Sequence, residues 1–245
     1  MIPKIIHYCW FGGSKLPSSA IKCIKSWKRF CPDYEIKEWN ETNFDINMYS
    51  YTREAYNNKK YAFVSDVVRL YALFNYGGIY MDTDVEIIKP LDGLLSHEAF
   101  CGFEKDDSIC TAVIGSERNG IWIKEILTSY AKRHFIKEDL TMDFTPNVVE
   151  ITRYMKSVGI VLNNTFQEIP NLVAIYPKDF FSPLVYETRE LLLTNQTLTI
   201  HHFAGSWLPL RNRLKDRHLF LYRIIYFIPN HKDRFLLWWK KMLWK

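Results

Sequence analysis

The apolar segment Tyr61–Tyr76 runs directly into Gly77-Gly-Ile-Tyr-Met-Asp-Thr-Asp-Val-Glu86, and this junction limits the fold more than any other stretch. Ala62, Val64, Val67, Val68, Tyr71, Ala72 and Phe74 do not alternate, which predicts a helix. Gly77-Gly78 predicts its C-terminal stop. The residues after it predict a strand ending in two carboxylates, Asp82 and Asp84. On extended backbone, side chains alternate with period two, so this spacing sends both acids to one side. Converging carboxylates repel unless a cation lies between them. Oxygen ligands of this kind suit Mg²⁺ or Mn²⁺, which keep waters and bridge to a substrate's phosphates. Asp-x-Asp alone occurs by chance in many chains, so the surroundings decide its meaning.

Those surroundings alternate strand with helix. Ile2–Cys9 predicts a strand ending at Trp10, and Gly12-Gly13 a turn. Ser18 or Ser19 predicts the cap of a helix running to about Phe30. Tyr34–Trp39 predicts a second strand, and the polar stretch from Asn40 to Lys60 a loop with a short helix. Phe100–Phe103 and Thr111–Ser116 predict two strands joined by a charged loop, Glu104–Asp107. Ile121–His134 and Val148–Val158 predict helices, and Leu198–Phe203 a late strand. The pattern implies an α/β fold with a mainly parallel sheet. In such sheets ligands bind outside the carboxyl ends of the strands, where Trp10 and the acid pair both sit.

With 245 residues and 48% hydrophobic content, the chain suits one cored domain with a small appendage. Its five cysteines lack zinc-type paired spacing and predict reduced, buried thiols of a cytosolic protein. Pro3, Lys4 and His7 interrupt the apolar start, against a secretory signal. No stretch reaches the roughly 20 apolar residues of a membrane span. The net charge of +5 is uneven. From Arg211 onward, lysines and arginines are opposed only by Asp216 and Asp233, and the remainder is mildly acidic. Residues 1–210 are therefore expected as the main domain and 211–245 as a helical appendage broken at Pro229-Asn230. Trp238, Trp239 and Trp244 among those basic residues point to an anionic membrane surface. The rival explanation of the tail is two helices packed on the body, lysines outward. A basic groove for nucleic acid is not indicated, because the body is acidic.

Four blocks together resemble the DXD-containing sugar transferases of glycosyltransferase family 32. They are Ile2-Pro-Lys-Ile-Ile-His-Tyr-Cys-Trp-Phe-Gly-Gly13, Ala62-Phe-Val-Ser-Asp-Val-Val-Arg69, Gly77–Glu86 and His201-His-Phe-Ala-Gly-Ser-Trp207. The first three are more distantly similar to the glucosyltransferase domains of large clostridial toxins. The resemblance implies a GT-A type, Rossmann-like fold that binds a nucleotide diphosphate sugar through Mn²⁺ or Mg²⁺. It makes Asp84 the direct metal ligand and places Asp82 at the donor ribose or a metal-bound water. His201 or His202 completes the metal site; they face opposite ways on a strand, and the resemblance favours His201. Asp66 is implied to accept donor-sugar hydroxyls and Arg69 to contact sugar or diphosphate, although the two also form an ordinary i,i+3 ion pair. Trp10 is implied to stack on the base, favouring UDP, with Phe11, Gly12 and Ser65 beside the nucleotide. Ser206 and Trp207 are implied to close over the diphosphate. Tyr80 and Asn147 are softer candidates, the latter on the acceptor side. For each tryptophan, core packing is the rival explanation.

The expected activity is metal-dependent, retaining transfer of a hexose from a nucleotide diphosphate sugar to a glycan or lipid-linked glycan, in surface polysaccharide synthesis. It is expected in the cytoplasm, peripheral to the inner face of the membrane. A toxin-like transferase acting on protein is an alternative. A Mg²⁺-dependent phosphohydrolase would give the Trp10 block and the Ser-Asp-x-x-Arg block no purpose, and a nucleic-acid-binding module fits less well still.

Overall fold

The computed structural model describes residues 1–205, and Met1–Phe203 form one compact unit. Ser206, Trp207 and the tail 211–245 lie outside the described residues. In chain order the elements are β1 (Ile5–Cys9), α1 (Ser18–Phe30), β2 (Glu35–Trp39), α2 (Ser50–Asn57) and α3 (Tyr61–Tyr76). Then come β3 (Gly78–Met81), β4 (Val85–Ile87), β5 (Ala99–Lys105), β6 (Ser108–Ile109) and β7 (Val113–Ser116). α4 (Ile121–Tyr130), α5 (Asn147–Ser157), β8 (Gln167–Ile169), β9 (Val173–Tyr176), α6 (Lys178–Phe181) and β10 (Thr199–His201) complete it.

The main sheet has the order β2-β1-β3-β7-β5-β9-β8, with β6 attached to β5. β1 is parallel to both β2 and β3. β7 runs against its neighbours β3 and β5, so β5 regains the direction of β1, and β9 follows β5. β8 and β6 are antiparallel hairpin partners. β1, β2, β3, β5 and β9 therefore share one direction, the mainly parallel α/β sheet expected, with β7 inserted in reverse. β4 and β10 form a separate antiparallel ribbon.

Two apolar layers cover the sheet, one rich in residues of α3 and α4, the other containing Trp27 of α1 and Phe181 of α6. Val64, Val67, Val68, Leu70, Ala72 and Leu73 of α3 are fully buried. A helix apolar on most sides belongs in an interior, and each large side chain there contributes about 1.5–3 kcal/mol. At its end Gly77 has φ 66° and ψ −169°, a region open essentially to glycine alone. The buried His7 holds this corner: its Nδ1 accepts from the Trp39 indole at 3.1 Å, which leaves Nε2–H to donate to the Gly77 carbonyl at 2.7 Å.

Several expectations change. The Asp82–Asp84 segment is not continuous strand; β3 ends at Met81 and a turn separates it from β4. α1 starts after Pro17, and no side chain caps it, so Ser18 is its first residue and Ser19 its second. Glu104 is not loop: β5 continues through Lys105 and turns into β6. β8, β9 and α6 arise from a stretch between residues 159 and 197 whose sequence predicts no regular element.

Candidate active site

The acid pair is built by a turn. Asp82 N–H donates to the Ala112 carbonyl at 2.9 Å, and Val85 N–H returns to the Asp82 carbonyl at 3.0 Å. β4 is then held from both sides. The Trp27 indole of α1 donates to the Val85 carbonyl at 2.7 Å, and Ile87 N–H donates to Ser26 Oγ at 2.9 Å. Along its other edge runs β10, with His201 opposite Val85. This pairing delivers His201 Nε2 to 3.6 Å from Asp84 Oδ1. One ligand atom each of Asp82, Asp84 and His201 lies within 4.8 Å of the other two. His202 faces the other way, its Nε2 2.9 Å from Glu86 Oε2.

α3 supplies the buried charges beside the pair. Arg69 is only 5% exposed. Its Nη2 lies 3.0 Å from Asp66 Oδ1 and 3.5 Å from Asp82 Oδ1. Nη1 donates to the Thr111 carbonyl at 2.7 Å and Nε to the Ser65 carbonyl at 3.3 Å. The guanidinium also lies 4.6 Å from the Tyr80 ring centroid, and Tyr80 Oη donates to Asp82 Oδ1 at 2.8 Å. A buried charge needs such partners. In this arrangement Arg69 orients Asp66 and Asp82, with its donors committed inside the protein. Asn147 N–H donates to Asp66 Oδ2 at 3.2 Å, and its Nδ2 to the Asp66 carbonyl at 2.9 Å. Asn147 Oδ1 is buried and, among the described residues, accepts no hydrogen bond. Burial pushes the Asp66 carboxyl up to about 6, against the pull of Arg69 and the Asn147 N–H. Ser65 Oγ donates within its own helix, to the Tyr61 carbonyl at 3.1 Å.

β1 brings the tryptophan block to the same edge. Ile6 pairs with Ile79 and His7 with Tyr80; continuing that register sets Cys9 opposite Asp82 and Trp10 one residue beyond. Trp10 is half-buried, and its indole donates to the Ser14 carbonyl at 2.6 Å. The Phe11 side chain is buried and packs edge-on against Phe44. Gly12 has φ +90°, and a Cβ there would sit 2.3 Å from a Tyr61 ring carbon. Packing against Tyr61 thus requires glycine at that position, whatever approaches from outside.

Electrostatically the site favours a cation. Asp66, Asp82, Asp84 and Glu104 face one guanidinium and one imidazole. Burial pushes the Glu104 carboxyl up, and the acid pair adds to that shift. Burial would depress His201, but Asp84, Cys110 and Glu104 outweigh it and raise the imidazole to about 10. Two carboxylates and an imidazole within reach of one point fit a divalent ion that accepts both oxygen and nitrogen, as Mn²⁺ does.

Residues 17–101 match the family model described as the glycosyltransferase sugar-binding region containing a DXD motif, and they include Asp82 and Asp84. Over those residues the chain is similar to the DXD-containing glycosyltransferases. It is 30% identical over 142 residues to inositol phosphoceramide mannosyltransferase 3 of Schizosaccharomyces pombe, covering 55% of this chain and 38% of that protein. Mannosyl phosphorylinositol ceramide synthase CSH1 of Saccharomyces cerevisiae is 29% identical over 143 residues, covering 56% and 38%. This chain thus spans well under half the length of either relative. A solved glycosyltransferase involved in glycosylation of the major capsid of PBCV-1 has a TM-score of 0.49 at 13% identity, covering 89% of this chain and 99% of that one.

The matched region supplies the acid pair, Asp66 and Arg69, whereas His201, Asn147 and Glu104 come from beyond it. Glu104, Cys110 and the Thr111 carbonyl did not emerge from the sequence as parts of the site. Glu104 sat in what reads as a solvated run, Glu-Lys-Asp-Asp. Its one available signal was the alternation of Phe103 and Glu104 at a strand's end.

Proposed function

We propose that the protein transfers a hexose from a nucleotide diphosphate sugar to a hydroxyl of a glycan or lipid-linked glycan, with a divalent metal, Mn²⁺ in first place, at Asp82, Asp84 and His201. The observation that carries this reading is the convergence of those three side chains at the carboxyl edge of the sheet, inside or adjoining the DXD region. A metal held there neutralises charge growing on the leaving diphosphate. The chain's own groups do the rest. Arg69 and Tyr80 fix Asp82 in orientation. Asp66 retains lone pairs for sugar hydroxyls after its bonds to Arg69 and Asn147, and the unpaired Asn147 Oδ1 is a further acceptor beside it. Trp10 offers an aromatic face to the base at the same edge, and Gly12 and Ser65 are proposed beside the nucleotide. The transfer is read as retaining, with the diphosphate oxygen itself acting on the acceptor and no side chain of the described residues proposed as a covalent nucleophile.

The flat Trp10 argues for UDP, while the relatives' names include mannosyl and inositol phosphoceramide, which argues for mannose and a lipid acceptor. Among the described residues no helix is long and apolar enough to cross a membrane, and the proposal places the protein in the cytoplasm, at the membrane's inner face. Thermal unfolding against UDP- and GDP-sugars with Mn²⁺ tests the reading, because a ligand of the folded state raises the midpoint by mass action. One donor class should stabilise the wild type only with metal, and Asp84→Ala should not respond. Metal-independent stabilisation, or a full response in Asp84→Ala, overturns it.

A further inference from the structure

His201 has two nitrogens, and the proposed Asp82–Asp84 metal site uses one. Nε2 faces Asp84, whereas Nδ1 lies 3.8 Å from Glu104 Oε1. Nδ1 is buried and, among the described residues, makes no hydrogen bond. Cys110 stands on the same side: Glu104 Oε, Cys110 Sγ and a His201 nitrogen all lie within 4.8 Å of one another. Cys110 is fully buried and His201 7% exposed. The β5–β6 hairpin sets this up. Its register shifts between Phe103 and Lys105, at Glu104, and Cys110 N–H closes it on the Gly102 carbonyl at 2.7 Å.

At 3.8 Å a nitrogen and an oxygen are too far apart to share a hydrogen bond. That separation is close to the edge of a tetrahedron around a zinc-type ion, about 3.3–3.7 Å for bonds of about 2.0–2.3 Å. A thiolate, an imidazole and a carboxylate are also the donors that a borderline-soft ion takes and that Mg²⁺ or Mn²⁺ does not prefer. An ion between the three groups satisfies the orphaned nitrogen, gives the buried thiol a role and accounts for a carboxylate turned inward. We propose that Glu104, Cys110 and Nδ1 of His201 form a second divalent metal site, of the Zn²⁺ class, that shares its histidine with the Asp82–Asp84 site.

Sharing has a consequence, which rests on the proposed metal role of the acid pair although the second site itself does not. A neutral imidazole has one lone pair and one N–H. Zn²⁺ on Nδ1 displaces the proton from that nitrogen and leaves an N–H at Nε2 facing Asp84, and the Nδ1 and Cys110 protons leave to solvent. The acid pair then lacks its nitrogen ligand, so Zn²⁺ and Mn²⁺ oppose each other through one ring.

Co²⁺ is the probe, added to the full chain, because thiolate ligation gives a sulfur-to-cobalt charge-transfer band in the near ultraviolet. The wild type and Asp84→Asn should both show it at one equivalent, and Cys110→Ser should not. Zn²⁺ should abolish the band. In the wild type it should also weaken Mn²⁺ binding, read by electron paramagnetic resonance, by about tenfold or more, on the scale of lost metal-site support. In Cys110→Ser and Glu104→Gln, Mn²⁺ should still bind, which also shows that they fold, and Zn²⁺ should no longer oppose it. No band in the wild type, or an undiminished band in Cys110→Ser, overturns the site. A band with Mn²⁺ binding indifferent to Zn²⁺ overturns the sharing. Failure of Mn²⁺ to bind any form, with the band present, sinks the acid-pair reading and leaves the second site standing.

Discussion

Arg69 shows how much of the site depends on a residue that touches its chemistry through others. Its guanidinium stands between Asp66 and Asp82 with its remaining donors on backbone carbonyls. Arg69→Met leaves two carboxylates facing each other in a buried setting, and breaking such a pair costs about 3–5 kcal/mol. Urea unfolding should report that loss, and residual folded protein should bind Mn²⁺ about 10- to 100-fold more weakly. An unchanged midpoint would mean the guanidinium is dispensable to the fold. Two other buried residues oppose each other in their pH response. Burial lowers His7 from 6.5 to about 4, so its neutral form stabilises the fold above 6.5 and that contribution is lost as pH falls toward 4. Asp66 is raised from 3.8 to about 6, so its contribution is complete below 3.8 and is lost as pH rises through 6. Each spans about 3 kcal/mol at 1.36 kcal/mol per unit, so the wild type should show little net slope from these two between about pH 4 and 6. Denaturation across that window should expose them separately: His7→Gln should lose stability with rising pH relative to wild type, and Asp66→Asn should gain. Parallel curves for all three proteins would refute both assignments.

At the scale of elements, the junction of α3 and β3 carries the site, and Gly77 permits it. A Cβ there would lie 2.8 Å from both Arg118 N and Pro3 Cδ, in addition to the backbone strain of about 1–3 kcal/mol. Gly77→Ala should therefore lower stability by at least that amount in urea unfolding; Gly93→Ala, whose added Cβ meets nothing within 4 Å, should not. Equal behaviour of the two would remove the argument. This junction was legible in the sequence because a long non-alternating apolar run and a glycine pair admit few readings, and α3 has the predicted bounds. The acids were legible as a pair but not in their geometry. Asp82 and Asp84 converge through a turn closed by Val85 N–H, and spacing by two looks the same in a turn as in a strand. β8 and β9 escaped because Gln167–Ile169 and Val173–Tyr176 are three and four residues long, too short to display a period. Glu104 escaped because a charged run conceals one inward side chain, and only the late strand β10, distant in sequence, gives that carboxylate a partner.

Across the whole chain, charge is divided: an acid-rich cluster in the described unit, and a sequence beyond residue 210 in which lysines, arginines and tryptophans prevail. The proposed substrate chemistry gives that division a purpose, since an acceptor carried on lipid is reached at a surface. If residues 211–245 act there, the full chain should sediment with anionic vesicles and not with zwitterionic ones. Each basic residue near such a surface contributes about 1 kcal/mol, falling away within a Debye length. Raising salt from about 0.05 to about 0.5 M shortens that length severalfold and should release most of the protein. The tryptophans separate two contributions. Trp238→Ala, Trp239→Ala and Trp244→Ala combined keep every charge but remove aromatic burial at the interface, so binding should weaken at all salt concentrations while its salt dependence stays. A tail that merely packs on the body predicts something else: the same three substitutions would lower the unfolding midpoint and leave vesicle binding as it was. Measuring both on one set of proteins decides between them, because membrane anchoring moves the first quantity and core packing moves the second.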